Sequence, residues 1–418
     1  MLGGWGRSFP SVMFRIDTFT SHQVERKWAT MSVDSHQVLE FPPWPQFGAE
    51  ERTGLIRALD QGQWWRVTGS EVDAFEQEFA EYHGAEHALA VTTGTHALEL
   101  ALQVLGVRRD TEVIVPAFTF ISSSQAVQRL GAVAVPVDVD PNTYCIDVSA
   151  AEAAIGPHTR AIMPVHMAGQ VADMDALVKL SADSGVPLLQ DAAHAHGARW
   201  QGKKVGELGS VAAFSFQNGK LMTAGEGGAV LFPDAELYEE AFVRHTCGRP
   251  RGDWGYFHAV AGSNFRLTEF SAAVLRAQLS RLDEQIAVRE QRWPVLTALL
   301  AELPGVVPQG RDERCDRNPH YMAMFRVPGM GKLRRAALVH TLTQRGIPAF
   351  VAFRAVYRTD AFWEIGAPDT SVDQLARRCP NSEALSQDCV WLHHRVLLGS
   401  ETQMHEIASV LADVLASS

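Results

Sequence analysis

Between residues 72 and 233 the chain alternates short, nearly continuous apolar runs with stretches of helical spacing. The runs cover 87–91, 112–116, 133–137, 161–165, 187–189 and 211–216, and 229–232 closes the series. Residues 72–82 carry Val72, Phe75, Phe79 and Tyr82 on one helical stripe, and a second helical stretch ends near Leu105. Strands that are apolar throughout, rather than at every second residue, are buried on both faces. Alternation with helices therefore predicts an α/β fold with a mostly parallel sheet covered on both sides.

After about residue 234 the texture changes. Residues 267–303 read as one long helix with charges on one side, 304–320 as a loop, and the remainder as a smaller α+β region. The expected organisation is an N-terminal extension over 1–40, a large domain over 41–270, and a connecting helix with a small domain over 271–418. Met31 precedes an ordinary polar lead-in, so translation starting there, or a flexible 1–30 segment, is expected. A net charge of −11 argues against nucleic acid or an acidic membrane as the main partner. No run approaches the ~18 apolar residues of a membrane helix, and the first thirty residues lack a signal-peptide pattern. The five cysteines are odd in number and form no C-x-x-C, so neither a disulfide framework nor a metal site is expected. The expected setting is the reducing cytoplasm.

Ligands in such sheets gather at the carboxyl ends of the strands. Thr93-Gly94-Thr95 falls between a strand and a helix, where free N–H groups and the helix dipole attract an anion and a glycine allows close approach. An ordinary N-cap explains the same residues. Phe118-Thr119-Phe120 follows a strand and could stack on a planar ring or simply fill the core. Asp191 ends an apolar run, where a carboxylate needs a cation or a strong donor unless it caps a following helix. Ser215-Phe216-Gln217-Asn218-Gly219-Lys220 ends another strand. Only six of the 37 lysines and arginines are lysines, and Lys220 has the fewest charged neighbours. Partial burial would make its neutral amine a nucleophile, although a surface loop is the common fate of lysine.

Each signal is weak alone, but their order is specific: anion-binding turn, aromatic, acid, then Ser-x-x-x-x-Lys. It matches pyridoxal 5′-phosphate (PLP), which needs a phosphate cradle, a ring stack, an acid at the pyridine nitrogen and a Schiff-base lysine. From about residue 40 onward the chain also resembles the sugar aminotransferase family that includes DegT, DnrJ, EryC and StrS. These are fold-type I PLP enzymes with a large domain and a smaller C-terminal domain. Within that family it is most similar to the branch whose members make 3-amino-5-hydroxybenzoate for ansamycin and mitomycin pathways. The segments FPPWPQF (41–47), GQWWRVTG (62–69), PAFTFISSSQA (116–126), IMPVHMAG (162–169), LLQDAAHAHGARWQGKKVGEL (188–208), FSFQNGKLMTAGEGGAV (214–230) and CVWLHHRVLLG (389–399) carry this likeness.

The resemblance implies that Lys220 binds the cofactor and moves the proton, that Asp191 pairs with the pyridine nitrogen, and that His194 lies near the ring face or O3′. It implies Phe120 as the ring stack, Gly94, Thr95 and Ser215 as phosphate ligands, and Asn264 as a ligand to the phosphate of the neighbouring subunit in a homodimer. Gln190 replaces a common glutamate, and His393-His394 a common Leu-Pro. Both departures fit the aminohydroxybenzoate branch. The implied activity is a lyase that dehydrates and aromatises 5-amino-5-deoxy-3-dehydroshikimate. The alternative is an aminotransferase that moves the amine of glutamine or glutamate to a keto-sugar or keto-inositol. A non-catalytic ligand sensor would need an appended DNA-binding domain, and residues 1–40 are too short and too weakly basic for one. An oxidoreductase partner is expected by analogy. Arg249, Arg251, Arg266 and Arg354 are candidates for a substrate carboxylate.

Overall fold

The computed structural model describes residues 38–252 and 256–416. The apolar runs become strands β1 (His87–Val91), β2 (Glu112–Pro116), β3 (Val133–Val137), β4 (Thr159–Ile162) and β5 (Leu189–Asp191). A short hairpin, β6 (Arg199–Trp200) and β7 (Lys203–Lys204), precedes β8 (Val211–Ser215) and β9 (Gly228–Phe232). Strands β3-β2-β4 pair in parallel, and β5 pairs in parallel with β8. Parallel bridges Ile162↔Leu188 and Val165↔Asp191 splice the two groups. The result is one seven-strand surface, β3-β2-β4-β5-β8-β9-β1, in which only β9 runs against the rest.

Alternate residues of each strand enter opposite cores. Val113 and Val115 pack with Leu89, Leu98 and Phe242 on one face; Ile114 packs with Phe75, Phe79 and Phe214 on the other. Burial on both faces is why these runs lack polar alternation. The helix Glu71–His83 follows the predicted stripe, burying Val72, Phe75 and Phe79. Thr93 caps the helix Gly94–Val104 by accepting from the His96 N–H at 3.1 Å.

The single helix expected over 267–303 is two, Glu269–Ser280 and Leu282–Ala301, broken at Arg281. At the break Ser280 Oγ donates back to the Ala277 carbonyl (2.8 Å), and the Arg281 guanidinium reaches the Gln46 carbonyl (3.0 Å) and Glu51 (2.7 Å). A four-strand antiparallel sheet follows in the order β10-β11-β13-β12: β10 (Val307–Pro308), β11 (Met322–Arg326), β12 (Ala349–Val351) and β13 (Cys389–His393). It packs with the helices Leu282–Ala301, Gly331–Gln344 and Glu401–Ala416 around Leu296, Phe325, Leu338 and Ile407. The extension expected over 1–40 lies, up to residue 37, outside the described residues, as does Met31. Leu39 is buried and donates its N–H to the Arg345 carbonyl. Among the described residues no helix is long and apolar enough to cross a membrane.

Candidate active site

Parallel strands of similar length end along one edge, and the polar residues that follow them meet there. After β1, the Thr93 turn opens the helix Gly94–Val104 directly against the end of β8. A Cβ on Gly94 would lie 2.5 Å from Ser215 Cβ and 2.9 Å from Ser215 Oγ, and one on Gly228 would lie 2.4 Å from the Thr93 carbonyl oxygen. No side chain fits at either position, so the helix N-terminus packs directly beside Ser215 at the end of β8. Thr95 Oγ1 donates to Ser122 Oγ at 3.1 Å. His196 Nε2 meets the Ser215 carbonyl at 3.0 Å and holds that strand end in place. The cap reading and the anion-site reading of Thr93-Gly94-Thr95 therefore both describe the same turn.

Asp191 closes β5 and is buried. Its Oδ2 accepts from Ser123 Oγ at 2.8 Å, and Ser123 is itself 3.1 Å from Thr119 Oγ1. Its Oδ1 accepts from the Ala193 N–H at 3.3 Å, a turn contact, and no α-helix follows. Among the described residues no lysine or arginine forms an ion pair with it. Burial raises its carboxyl above the ordinary range, while Ser123, Ala193 and the charge of Lys220 pull the other way. A buried carboxylate with two donors and no cation is suited to a cationic partner.

Lys220 is half-buried, with Nζ 4.5 Å from the centre of the Tyr321 ring. His194 is buried and lies nearly parallel to the same ring, 4.4 Å away at 26°. Its Nδ1 accepts from the Ala168 N–H at 3.4 Å. Burial, and then the charge of Lys220, hold its pKa well below the ordinary value, so it is neutral. The two phenylalanines after β2 divide. Phe118 is core, whereas Phe120 is 57 % exposed, its ring 6.3 Å from that of Phe353. Phe353 also faces His194, with ring centres 6.4 Å apart and planes 8° from parallel.

These features fit PLP: a helix N-terminus set against the Ser215 hydroxyl with glycine at the contact, a buried carboxylate lacking its cation, an exposed aromatic and a half-buried lysine. The structure gathers Gly94, Thr95 and Ser215 in one cluster, and Lys220 and His194 around Tyr321. Asn264 stands apart, exposed and bridged to Thr246.

A sequence profile of the DegT/DnrJ/EryC1/StrS aminotransferase family matches residues 46–411. The chain belongs to this family. It is 69 % identical over 386 residues to a 3-amino-5-hydroxybenzoate synthase of Amycolatopsis mediterranei, covering 92 % of this chain and 100 % of that one. It is 36 % identical to an L-glutamine:2-deoxy-scyllo-inosose aminotransferase of Streptomyces paromomycinus, covering 92 % of this chain and 97 % of that one. A crystal structure of 3-amino-5-hydroxybenzoic acid synthase superposes with a TM-score of 0.91 at 70 % identity, covering 91 % of this chain and 100 % of that one. The chain is thus a PLP enzyme with the fold-type I architecture expected from its sequence.

Sequence reasoning missed several residues. Ser123 lies in the segment 116–126, four residues after Thr119, and that hydroxyl spacing is its one signal in the sequence. Tyr321 and Phe353 had none, because nothing local distinguishes them. Gln190 is bound on the far side of β5 from Asp191: His166 Nε2 lies 2.9 Å from its Oε1, and its amide donates to Ser210 Oγ at 3.0 Å. Strand alternation turns it away from the site. Of the four arginines, Arg251 is committed to Glu239 and lies 3.7 Å over the Phe242 ring. Arg266 lies 5.9 Å from the Trp65 ring and 3.8 Å from Cys247 Sγ. Arg249 Nε is buried without a hydrogen-bond partner. Arg354 is exposed between Phe353 and Ala355, and Ala355 bridges Phe118.

Proposed function

We propose that this enzyme converts 5-amino-5-deoxy-3-dehydroshikimate to 3-amino-5-hydroxybenzoate and water, supplying an ansamycin- or mitomycin-type pathway in the cytoplasm. The observation that carries this reading is the 69 % identity, over the whole length of the relative, to an Amycolatopsis 3-amino-5-hydroxybenzoate synthase. The reaction balances without an oxidant. A proton leaves the amine-bearing carbon, the neighbouring hydroxyl leaves as water, and a ring proton moves to the ketone oxygen as the ring becomes aromatic.

PLP supplies an electron sink for the pair left when the proton departs. Asp191, oriented by Ser123, keeps the pyridine nitrogen protonated. Gly94, Thr95 and Ser215 hold the phosphate, and Phe120 covers the ring. Lys220 would hold the cofactor, and its Nζ, 4.5 Å from the Tyr321 ring centre, would be the base that takes the proton from the amine-bearing carbon. Neutral His194 packs beside it without adding a competing charge. Arg354, exposed and next in the chain to Phe353, whose ring faces those of His194 and Phe120, is the substrate-carboxylate ligand we favour. Asn264 serves the neighbouring subunit of a homodimer. Its exposure, together with that of Tyr256 (95 %) and Phe257 (60 %) just before it, supports a partner surface there.

A second reading, amine transfer from glutamine to a keto-inositol, draws on the 36 % identity to the L-glutamine:2-deoxy-scyllo-inosose aminotransferase. One assay separates the two. Purified enzyme with PLP and aminodehydroshikimate, but no amine donor, should yield an aromatic product seen by ultraviolet absorbance and mass. No product there, with amine transfer from glutamine to scyllo-inosose, would establish the second reading.

A further inference from the structure

Lys220 lies in the loop between β8 and β9, and the two carbonyls before it are each held from far away in sequence. The Asn218 carbonyl accepts from the Trp44 indole N–H at 3.1 Å. The Gly219 carbonyl is 3.2 Å from His394 Nε2. The other ring nitrogen of His394, Nδ1, is 3.2 Å from Arg289 Nη2. A guanidinium can only donate, so Nδ1 is the acceptor and the imidazole proton sits on Nε2, where it points at Gly219. Trp44 completes the group. Its ring meets His394 edge-on at 4.4 Å, and the Arg289 guanidinium carbon lies 5.6 Å from its centre.

Arg289 is an odd residue for this place. It is fully buried, and its Nε and Nη1 have no hydrogen-bond partner. Among the described residues it forms no ion pair. A buried, unpaired cation is costly, and an apolar side chain would cover the loop as well. Fixing one tautomer of His394 is something only a donor can do. The titratable groups facing His394 are Arg289 from the helix Leu282–Ala301, His393 from β13, Lys220 from its loop and Tyr321 before β11. Burial and then Arg289 hold the His394 pKa well below its ordinary value, which keeps the single-proton form.

We propose that Trp44, His394 and Arg289 form a clamp that positions the Lys220 loop, with Arg289 fixing the His394 proton on Nε2. They are positioning residues, and the assignment rests on Lys220 being the lysine that binds PLP.

The test uses the PLP-loaded enzyme and its His394→Leu, His394→Gln and Trp44→Phe variants. Glutamine can accept from Arg289 with its oxygen and donate to Gly219 with its nitrogen; leucine can do neither. For His394→Leu we expect the visible cofactor band to persist. The pH midpoint of its spectral change should move by at least about half a unit, and kcat should fall about tenfold, the size of one lost hydrogen bond, with KM within about twofold. His394→Gln should restore both readouts. A wild-type midpoint and kcat in His394→Leu, or a glutamine variant as impaired as leucine, overturns the clamp. Should His394→Leu not fold by circular dichroism, Trp44→Phe decides, since it removes the indole N–H while leaving an aromatic ring beside His394: a smaller shift in the same direction supports the clamp, and an unchanged midpoint overturns it. Borohydride reduction and peptide mass mapping of the wild type test the underlying reading separately. Cofactor found on another lysine would overturn the Lys220 assignment and the clamp with it.

Discussion

In the seven-strand sheet the residues of the site follow strands: Thr93 after β1, Phe120 after β2, Asp191 at the end of β5, Ser215 at the end of β8. In the four-strand antiparallel sheet the contributors sit on either side of strands: Tyr321 before β11, Phe353 after β12, His394 after β13. The parallel sheet brings its polar ends to one edge because its strands, β9 apart, point the same way. The antiparallel sheet has no such edge, and its residues reach the cleft only because Tyr321, Met322 and Met324 pack into the core of the larger sheet. The first region should therefore carry the chemistry, and the second should place what the first provides.

The sharpest way to break that division is Lys220→Ala. It should lose the visible cofactor band and at least ~10³-fold in activity while staying folded. A retained band would remove Lys220 from its role. Asp191→Asn comes next. Taking one member from a buried ion pair costs about 3–5 kcal/mol, so activity should fall on the order of 10²- to 10⁴-fold and PLP should dissociate faster. Near-full activity in that variant would dismiss the pyridinium partnership. Ser123→Ala, which leaves the carboxylate but removes its 2.8 Å donor, should cost roughly tenfold in kcat, in line with one hydrogen bond to a charged group.

The small sheet should respond more gently. Tyr321→Phe should be nearly silent, because the contact to Lys220 and His194 is through the ring; Tyr321→Leu should lower kcat only about two- to fivefold. A loss in Tyr321→Leu as large as that of Asp191→Asn would erase the distinction between the two regions. Acid should also separate them. Burial holds His83 and His245 at about 3 and His166 at about 4 in the large-sheet region, and His393 at about 4 in the small sheet. In the unfolded chain each titrates near its ordinary value of 6.5. Between 6.5 and these lowered values the unfolded state binds protons the native state refuses. Stability is therefore complete above 6.5 and falls as pH drops, by up to about 1.4 kcal/mol per pH unit per histidine. Hydrogen exchange at pH 5 against pH 7.5 should show the larger gain in opening around β1, β4 and the helix Ala235–His245. Equal protection at both pH values would mean these histidines are not held neutral by the fold.

The sequence by itself determined the alternating elements, the carboxyl-edge location of the site and the candidates Gly94, Phe120, Asp191, Ser215 and Lys220. Each follows an apolar run, and periodicity and strand ends are local properties of a chain. It also misjudged what local pattern cannot hold. Residues 267–303 have unbroken helical spacing, yet Arg281 turns out to meet Gln46 and Glu51. Phe118 and Phe120 look alike in sequence, yet one is core and the other faces the cleft, because side chains two apart share a side only while the strand continues, and β2 ends at Pro116. Gln190 is adjacent to Asp191 in sequence and is bound on the opposite side of the sheet. Only the tertiary structure could place Ser123 on Asp191, Tyr321 on Lys220, or Trp44 and His394 on the loop before Lys220. Those contacts span 68 to 175 residues, and their specificity comes from the docking of one packed surface on another rather than from any spacing along the chain.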